Sequence, residues 1–282
     1  MKMYLPTNTP PKEDPQELWR HFSATYFSLR VGLAGLAFAF PFVLYAYGKL
    51  RHGLDLQPSM SAYFWAATAD QCAAFPMRTI FVGFLFAIGV GLYAYKGFTP
   101  LENALLNVAG ICAALIAIFP EMIKLKDAKG DPRIAQLFED CPAVKAWASQ
   151  PPVPIHWVAA VMLFVLLAIV AWACAEKTLE FAPEAVDDVW FRRAYKSIAI
   201  AMVLFPLPGF LVAYALGLGT HKVFFIEAAG VLTFGTYWAF KTRELWLSQL
   251  EKESVRAVKN ALGRQQRKAQ AAAASQGAAD DQ

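Results

Sequence analysis

Long apolar runs separated by short polar stretches dominate this sequence, and they fall at 28–48, 79–96, 101–120, 153–175, 194–218 and 222–242. A helix needs about 20 predominantly apolar residues to cross the hydrocarbon core of a bilayer. Each run reaches or approaches that length, the second being the shortest. The pattern predicts an all-α, polytopic transmembrane helix bundle of six spans, with the bundle occupying 28–242. The stretch 57–75 (QPSMSAYFWAATADQCAAF) is the candidate for a seventh span. Its polar residues and Pro58 suit a re-entrant or surface segment better. The polar segment 1–27 carries Pro6, Pro10, Pro11 and mixed charge around Lys12–Glu17. That is too long and too acidic for the n-region of a cleaved signal peptide, so the first span reads as a retained helix.

Finer punctuation refines the spans. Phe205-Pro206-Leu207-Pro208-Gly209 lies near the middle of the fifth run, where two prolines and a glycine should kink or break the helix. Such breaks line binding sites in many transporters and are also ordinary kinks. Small residues recur at four-residue spacing, as Gly83, Ala87 and Gly91 in the second run and Ala109, Ala113 and Ala117 in the third. These stripes predict close helix packing. Past the sixth run, 243–268 keeps Leu247, Leu250, Val258 and Leu262 at roughly helical spacing among many charges. It predicts an amphipathic helix on the cytoplasmic surface, or one that binds a protein partner. Residues 269–282 are alanine-rich and polar, a composition typical of disorder.

Composition agrees with the runs. The 282 residues are 57% hydrophobic and only 17% charged, with a mean hydropathy of +0.37. Soluble domains are nearer about 45–50% apolar and about 25% charged. The net charge of +4 resides in residues flanking the runs, not in one continuous basic stripe, which argues against nucleic acid as a partner. With six spans, the side holding both termini carries 17 Lys and Arg residues and the other side 9. The positive-inside rule then predicts cytoplasmic termini, with the loops 49–78 and 121–152 facing outward. Cys112 and Cys174 fall inside runs, where a thiol behaves as a small apolar group. Cys72 and Cys141 fall one in each outward loop, so they are candidates for a disulfide if that side is oxidising.

The chain contains no HExxH, GxxxxGK[ST], GxSxG or paired CxxC. What remains is placement. Ser59, Ser61 and Asp70 lie in the first outward loop, and Arg78 opens the second span from that side. Glu121 closes the third span, His156 begins the fourth, and His221 opens the sixth. Glu227 lies about 7–8 Å deeper than Lys222 at about 1.5 Å per residue. Ionisable groups within a span are expensive and are generally retained for function. His156, His221 and Glu227 could ligate zinc with an open water position. Alternatively, Glu227 is a proton- or ligand-binding carboxylate with Arg78 or a histidine as partner. Arg78, Glu121, His156 and His221 also suit simple boundary residues at helix ends. Glu102, Asn103 and Asn107 open the third span, where a carboxylate favours the helix dipole and the amides can bond between helices.

Several motifs carry a resemblance. Pro58-Ser59-Met60-Ser61-Ala62-Tyr63-Phe64, Phe81–Gly89, Tyr95-Lys96-Gly97-Phe98, Ala109-Gly110-Ile111, Ala117-Ile118-Phe119-Pro120, and Ile226-Glu227-Ala228 with Phe234-Gly235-Thr236-Tyr237-Trp238 form the set. Together they resemble a bacterial multi-span family of unknown function, itself distantly similar to the CREST superfamily of alkaline ceramidases and adiponectin-receptor-type proteins. The resemblance covers most of the membrane region and neither tail. It implies a bacterial inner-membrane protein. Through CREST it implies seven spans and zinc held by three histidines near a serine and an aspartate. The chain departs from that pattern in lacking an HxxxH pair. The functional expectation is a lipid or small-ligand pocket open to the outer leaflet, with Ser61, His156 and Glu227 as leading contacts. The alternatives are a metal-dependent hydrolase, a proton-coupled transporter or channel, and an assembly subunit.

Overall fold

The computed structural model describes residues 15–66, 75–121, 154–181 and 187–248. Among them are seven α-helices and no strand: α1 (Pro15–His52), α2 (Pro76–Ala94), α3 (Pro100–Ile118), α4 (Ile155–Ile169), α5 (Asp188–Leu204), α6 (Pro206–Ala215) and α7 (Lys222–Ser248). Prolines sit at the starts of α2, α3 and α6, where their missing N–H costs nothing. Thr99 caps α3 by accepting from the Glu102 amide (3.1 Å), while the Glu102 carboxylate accepts from the Phe98 amide (2.8 Å). That is a reciprocal cap, so Glu102 does mark a helix start as its position suggests.

Five helices are long and apolar enough to span a bilayer, and the α5–α6 pair, bent by 64° at Phe205, makes six when counted as one broken span. The break thus falls where the two prolines place it. Residues 57–66 contain only the short 3₁₀ turn Ser61–Phe64, so this part of the seventh-span candidate does not form a membrane-crossing helix. α1 packs on α2 and α7, α3 on α2 and α4, and α5 on α4 and α7, closing a ring, with α6 lying against α7. The middle of the ring is filled by Ala37, Phe40, Leu85, Ala109, Ala113, Leu163 and Leu167. Large apolar side chains such as Val90, Val161, Val203 and Leu211 are exposed on its outside. Water would penalise that surface by about 25 cal/mol per Å², whereas lipid would not.

The close approach of α2 and α3 is made at Gly89 and Gly110. A Cβ on Gly110 would lie 2.6 Å from the Gly89 carbonyl oxygen, and one on Gly89 would lie 2.8 Å from that of Gly110. The third-span stripe of Ala109, Ala113 and Ala117 is buried as its spacing predicts. The second-span stripe is not the packing face: Gly83 and Ala87 are exposed, and only Gly91 meets a neighbour, Leu33 of α1.

Two boundaries differ from those read off the apolar runs. α1 begins at Pro15, within the polar 1–27 segment, and its Tyr26 ring packs edge-on against Tyr95 at 5.7 Å. α7 continues to Ser248 with Glu244 and Leu245 buried, so the segment starting at 243 opens inside the bundle and not on a surface. Hydropathy ended that span too early because Lys241 and Glu244 neutralise one another internally. The remainder of 243–268, the tail, residues 1–14 and most of the 121–152 loop lie outside the described residues.

Candidate ligand-binding site

The site is built at the end of the bundle where α1 stops and α7 begins. Gly53 adopts a left-handed conformation (φ 64°), and its amide and that of Leu54 bond back to the Lys49 and Gly48 carbonyls (3.1 and 3.0 Å). This cap ends α1 and turns the chain across the bundle. The Pro58 carbonyl then accepts the Phe224 amide (3.0 Å), one of the four unpaired donors at the start of α7. Ser59 Oγ accepts the Ala62 amide (2.9 Å) and sets the following 3₁₀ turn. Tyr63 of that turn is fully buried, and burial pushes its phenol up to about 12, so it stays neutral across the physiological range.

Those contacts deliver two serines to two carboxylates. Ser61 Oγ lies 2.7 Å from Glu121 Oε2 and 3.4 Å from Glu227 Oε1. Ser59 Oγ lies 3.2 Å from Glu121 Oε2 and 3.0 Å from Ser61 Oγ. Glu227 Oε2 accepts the Met60 amide (2.5 Å), and the Glu121 carbonyl accepts the Trp65 indole N–H (3.0 Å). Ser59 and Ser61 are buried, whereas Glu121 and Glu227 are partly exposed. Each hydroxyl has one proton to give, so two hydroxyls and one amide serve four carboxylate oxygens. Acceptor capacity is left over. α6 supports the wall from behind: a Cβ on Gly209 would come within 2.5 Å of the Ile226 Cα, so only glycine lets the broken helix lie this close beside Glu227.

Four of the predicted residues, Ser59, Ser61, Glu121 and Glu227, are therefore in one cluster. His156 is buried beside it, with Nδ1 2.9 Å from the Phe119 carbonyl. A carbonyl only accepts, so Nδ1 is the protonated nitrogen. Arg78 borders the cluster, its Cζ 4.3 Å from the Phe64 ring centroid, 4.2 Å from Phe75 and 5.2 Å from Trp65, with Nε 3.4 Å from the Phe64 carbonyl. It forms no ion pair with Glu121 or Glu227. His221 is not brought in; its Nδ1 is 2.9 Å from the Thr220 hydroxyl. Among the described residues no three His, Cys, Asp or Glu side chains converge on one metal position. Asp70, Cys72 and Cys141 lie outside the described residues.

The opposite end holds a polar centre that the apolar pattern conceals. Lys241 Nζ donates to the Ala175 carbonyl (3.0 Å), Thr178 Oγ1 (2.6 Å) and Glu244 Oε2 (3.1 Å). Thr178 donates to Glu244 Oε1 (2.5 Å) and Tyr195 to Glu244 Oε2. Lys241 and Glu244 are 1% and 0% exposed, and Arg30 and Glu102 nearby are 2% and 1%, giving two buried cations and two buried anions. The Ala175 carbonyl follows a five-residue π-helical turn, Val170–Cys174, after which the chain tightens into a 3₁₀ segment, Ala175–Phe181. Lys241 ties down that irregular backbone. The three-residue spacing of Lys241 and Glu244 after an apolar run is the one sequence signal that could have shown this pair.

These features define the class, a multi-pass α-helical membrane protein with a carboxylate–serine cluster at one end and a neutralised charge cluster at the other. No protein-family model, curated protein or solved structure matches the chain.

Proposed function

We propose that the chain binds a lipid or small ligand at the cluster of Ser59, Ser61, Glu121 and Glu227, on the side that the Lys and Arg distribution assigns to the outer leaflet. One observation carries the reading: a single hydroxyl, Ser61, lies between carboxylates that come from the end of α3 and from α7, and among the described residues no cationic side chain pairs with either of them. Two carboxyl groups held together at the edge of a membrane core are costly to ionise unless something compensates them. Their partial exposure makes them reachable. A ligand that donates hydrogen bonds or carries positive charge supplies the compensation.

The geometry favours binding over the alternatives. A path across the bundle would need polar lining, and the middle is closed by Ala37, Phe40, Leu85, Ala109, Ala113 and Leu167. The hydrolase reading that follows from the CREST resemblance needs converging histidines, and among the described residues no three His, Cys, Asp or Glu side chains converge on one position. Native mass spectrometry of protein extracted in mild detergent tests the proposal. The wild type should retain a stoichiometric small molecule that Glu121→Gln/Glu227→Gln loses. Equal occupancy in both, or a wild type that carries nothing and binds no added lipid, would sink the reading.

A further inference from the structure

Arg78 and Glu121 both touch one indole ring, the guanidinium at its face and the Glu121 backbone carbonyl at its N–H edge. Trp65 donates its N–H to the backbone carbonyl of Glu121 (3.0 Å), while the Arg78 guanidinium stacks over the Trp65 ring, 5.2 Å from its centroid. Arg78 is further held by Phe64 and Phe75, at 4.3 and 4.2 Å. Its Nε is spent on the Phe64 carbonyl, and among the described residues its terminal nitrogens have no carboxylate partner. An arginine and two glutamates that all contact the 59–65 segment could pair with one another, since a charge-assisted bidentate contact is among the stronger polar contacts available. Arg78 instead rests on Phe64, Trp65 and Phe75. Aromatic faces stabilise the cation without neutralising it, so Arg78 keeps a pre-organised fork of donors.

We propose that this arrangement recognises a zwitterionic phospholipid headgroup, with the phosphate on Arg78 and the ammonium between Glu121 and Glu227. The inference rests on the ligand-site reading given above and specifies the ligand's chemistry. A primary ammonium has three donors, matching the acceptor capacity that Ser59, Ser61 and the Met60 amide leave over on the two carboxylates. A lipid is favoured over a free metabolite because Trp157, next in sequence to His156, is 52% exposed, and exposed tryptophan favours the membrane–water boundary.

The test is equilibrium binding to the full chain in detergent. The probes are dioctanoyl phosphatidylethanolamine, dioctanoyl phosphatidic acid (phosphate without amine), octylamine (amine without phosphate) and glycerophosphoethanolamine (headgroup without chains). The first should bind about tenfold to a hundredfold more tightly than each of the others, the expected gain from one added charge-assisted contact. Arg78→Gln should bring its affinity down to that of octylamine, and Glu227→Gln down to that of phosphatidic acid. This crossed pattern cannot come from misfolding, which would weaken all probes alike. If phosphatidic acid binds as tightly as phosphatidylethanolamine while Glu227→Gln still weakens both, the zwitterion assignment fails and the ligand site stands. If glycerophosphoethanolamine binds as well as the lipid, the lipid assignment fails. Absence of saturable binding by every probe, together with an empty wild type in the mass-spectrometric test, would overturn both readings.

Discussion

Replacing Lys241 with Met keeps most of the side chain's volume and removes its charge. Lys241 and Glu244 are 1% and 0% exposed, so neither is relieved by solvent in the folded state. In Lys241→Met, Glu244 keeps the Thr178 and Tyr195 hydroxyls but loses the one cation that, among the described residues, lies within hydrogen-bond reach. The Ala175 carbonyl also loses the ammonium, and the Thr178 hydroxyl, 3.2 Å from it, has its one proton on Glu244. Removing one partner of a buried ion pair costs about 3–5 kcal/mol, most of it from the stranded partner. The double variant Lys241→Met/Glu244→Gln leaves no stranded charge, so it should recover at least half of that loss. Reversible unfolding in mixed dodecylmaltoside and SDS micelles, read by Cys174 thiol reactivity with Cys72 and Cys141 replaced by Ser and Cys112 by Ala, measures both. Cys174 is 2% exposed and adjoins Ala175, so it reports opening at this end. A loss below about 1 kcal/mol in the single variant would refute the buried pair, since exposed pairs are worth no more than that. A double variant as unstable as the single would show that the cost is steric and not electrostatic.

Other perturbations bear on the fold and the site. Gly209→Ala puts a Cβ within 2.5 Å of the Ile226 backbone, so α6 must move. Thermal unfolding should show an overpacking loss of about 1–3 kcal/mol, with weaker ligand retention because Glu227 is next in the chain. Thr99→Ala removes the α3 cap and should lower unfolding stability by about 0.5–2 kcal/mol. Gly217→Ala, at φ 68° with open space around it, should cost only about 1–2 kcal/mol and leave ligand occupancy intact. Fluorescent-protein and alkaline-phosphatase fusions should report a cytoplasmic C-terminus and an external 121–152 loop; the reverse would move the carboxylate cluster to the inner leaflet.

Much of this architecture was legible because a bilayer imposes simple length and polarity rules. The apolar runs mark the spans, and Pro206 marks the break. Glu227 stands out as an acid where acids are expensive, and Ser59, Ser61 and Glu121 share its end of the bundle. Their convergence depends on long-range contacts such as Pro58 to Phe224, which no local pattern encodes. His221 misled because nearness to the same boundary does not fix which way a ring turns, and here a neighbouring threonine takes its nitrogen. Lys241 and Glu244 were hidden for the opposite reason: charges at the end of an apolar run look like a membrane boundary, whereas these satisfy each other inside the protein. Gly89 and Gly110 escaped the four-residue stripe because the α2–α3 crossing needs one close point and not a continuous face.

The most direct measurement is an experimental density map of the full chain in nanodiscs containing phosphatidylethanolamine. The account predicts Ser61 between the Glu121 and Glu227 carboxylates, with headgroup density reaching from them to Arg78. A map in which Arg78 pairs directly with either glutamate, or in which the 58–64 segment stands away from the start of α7, would contradict it.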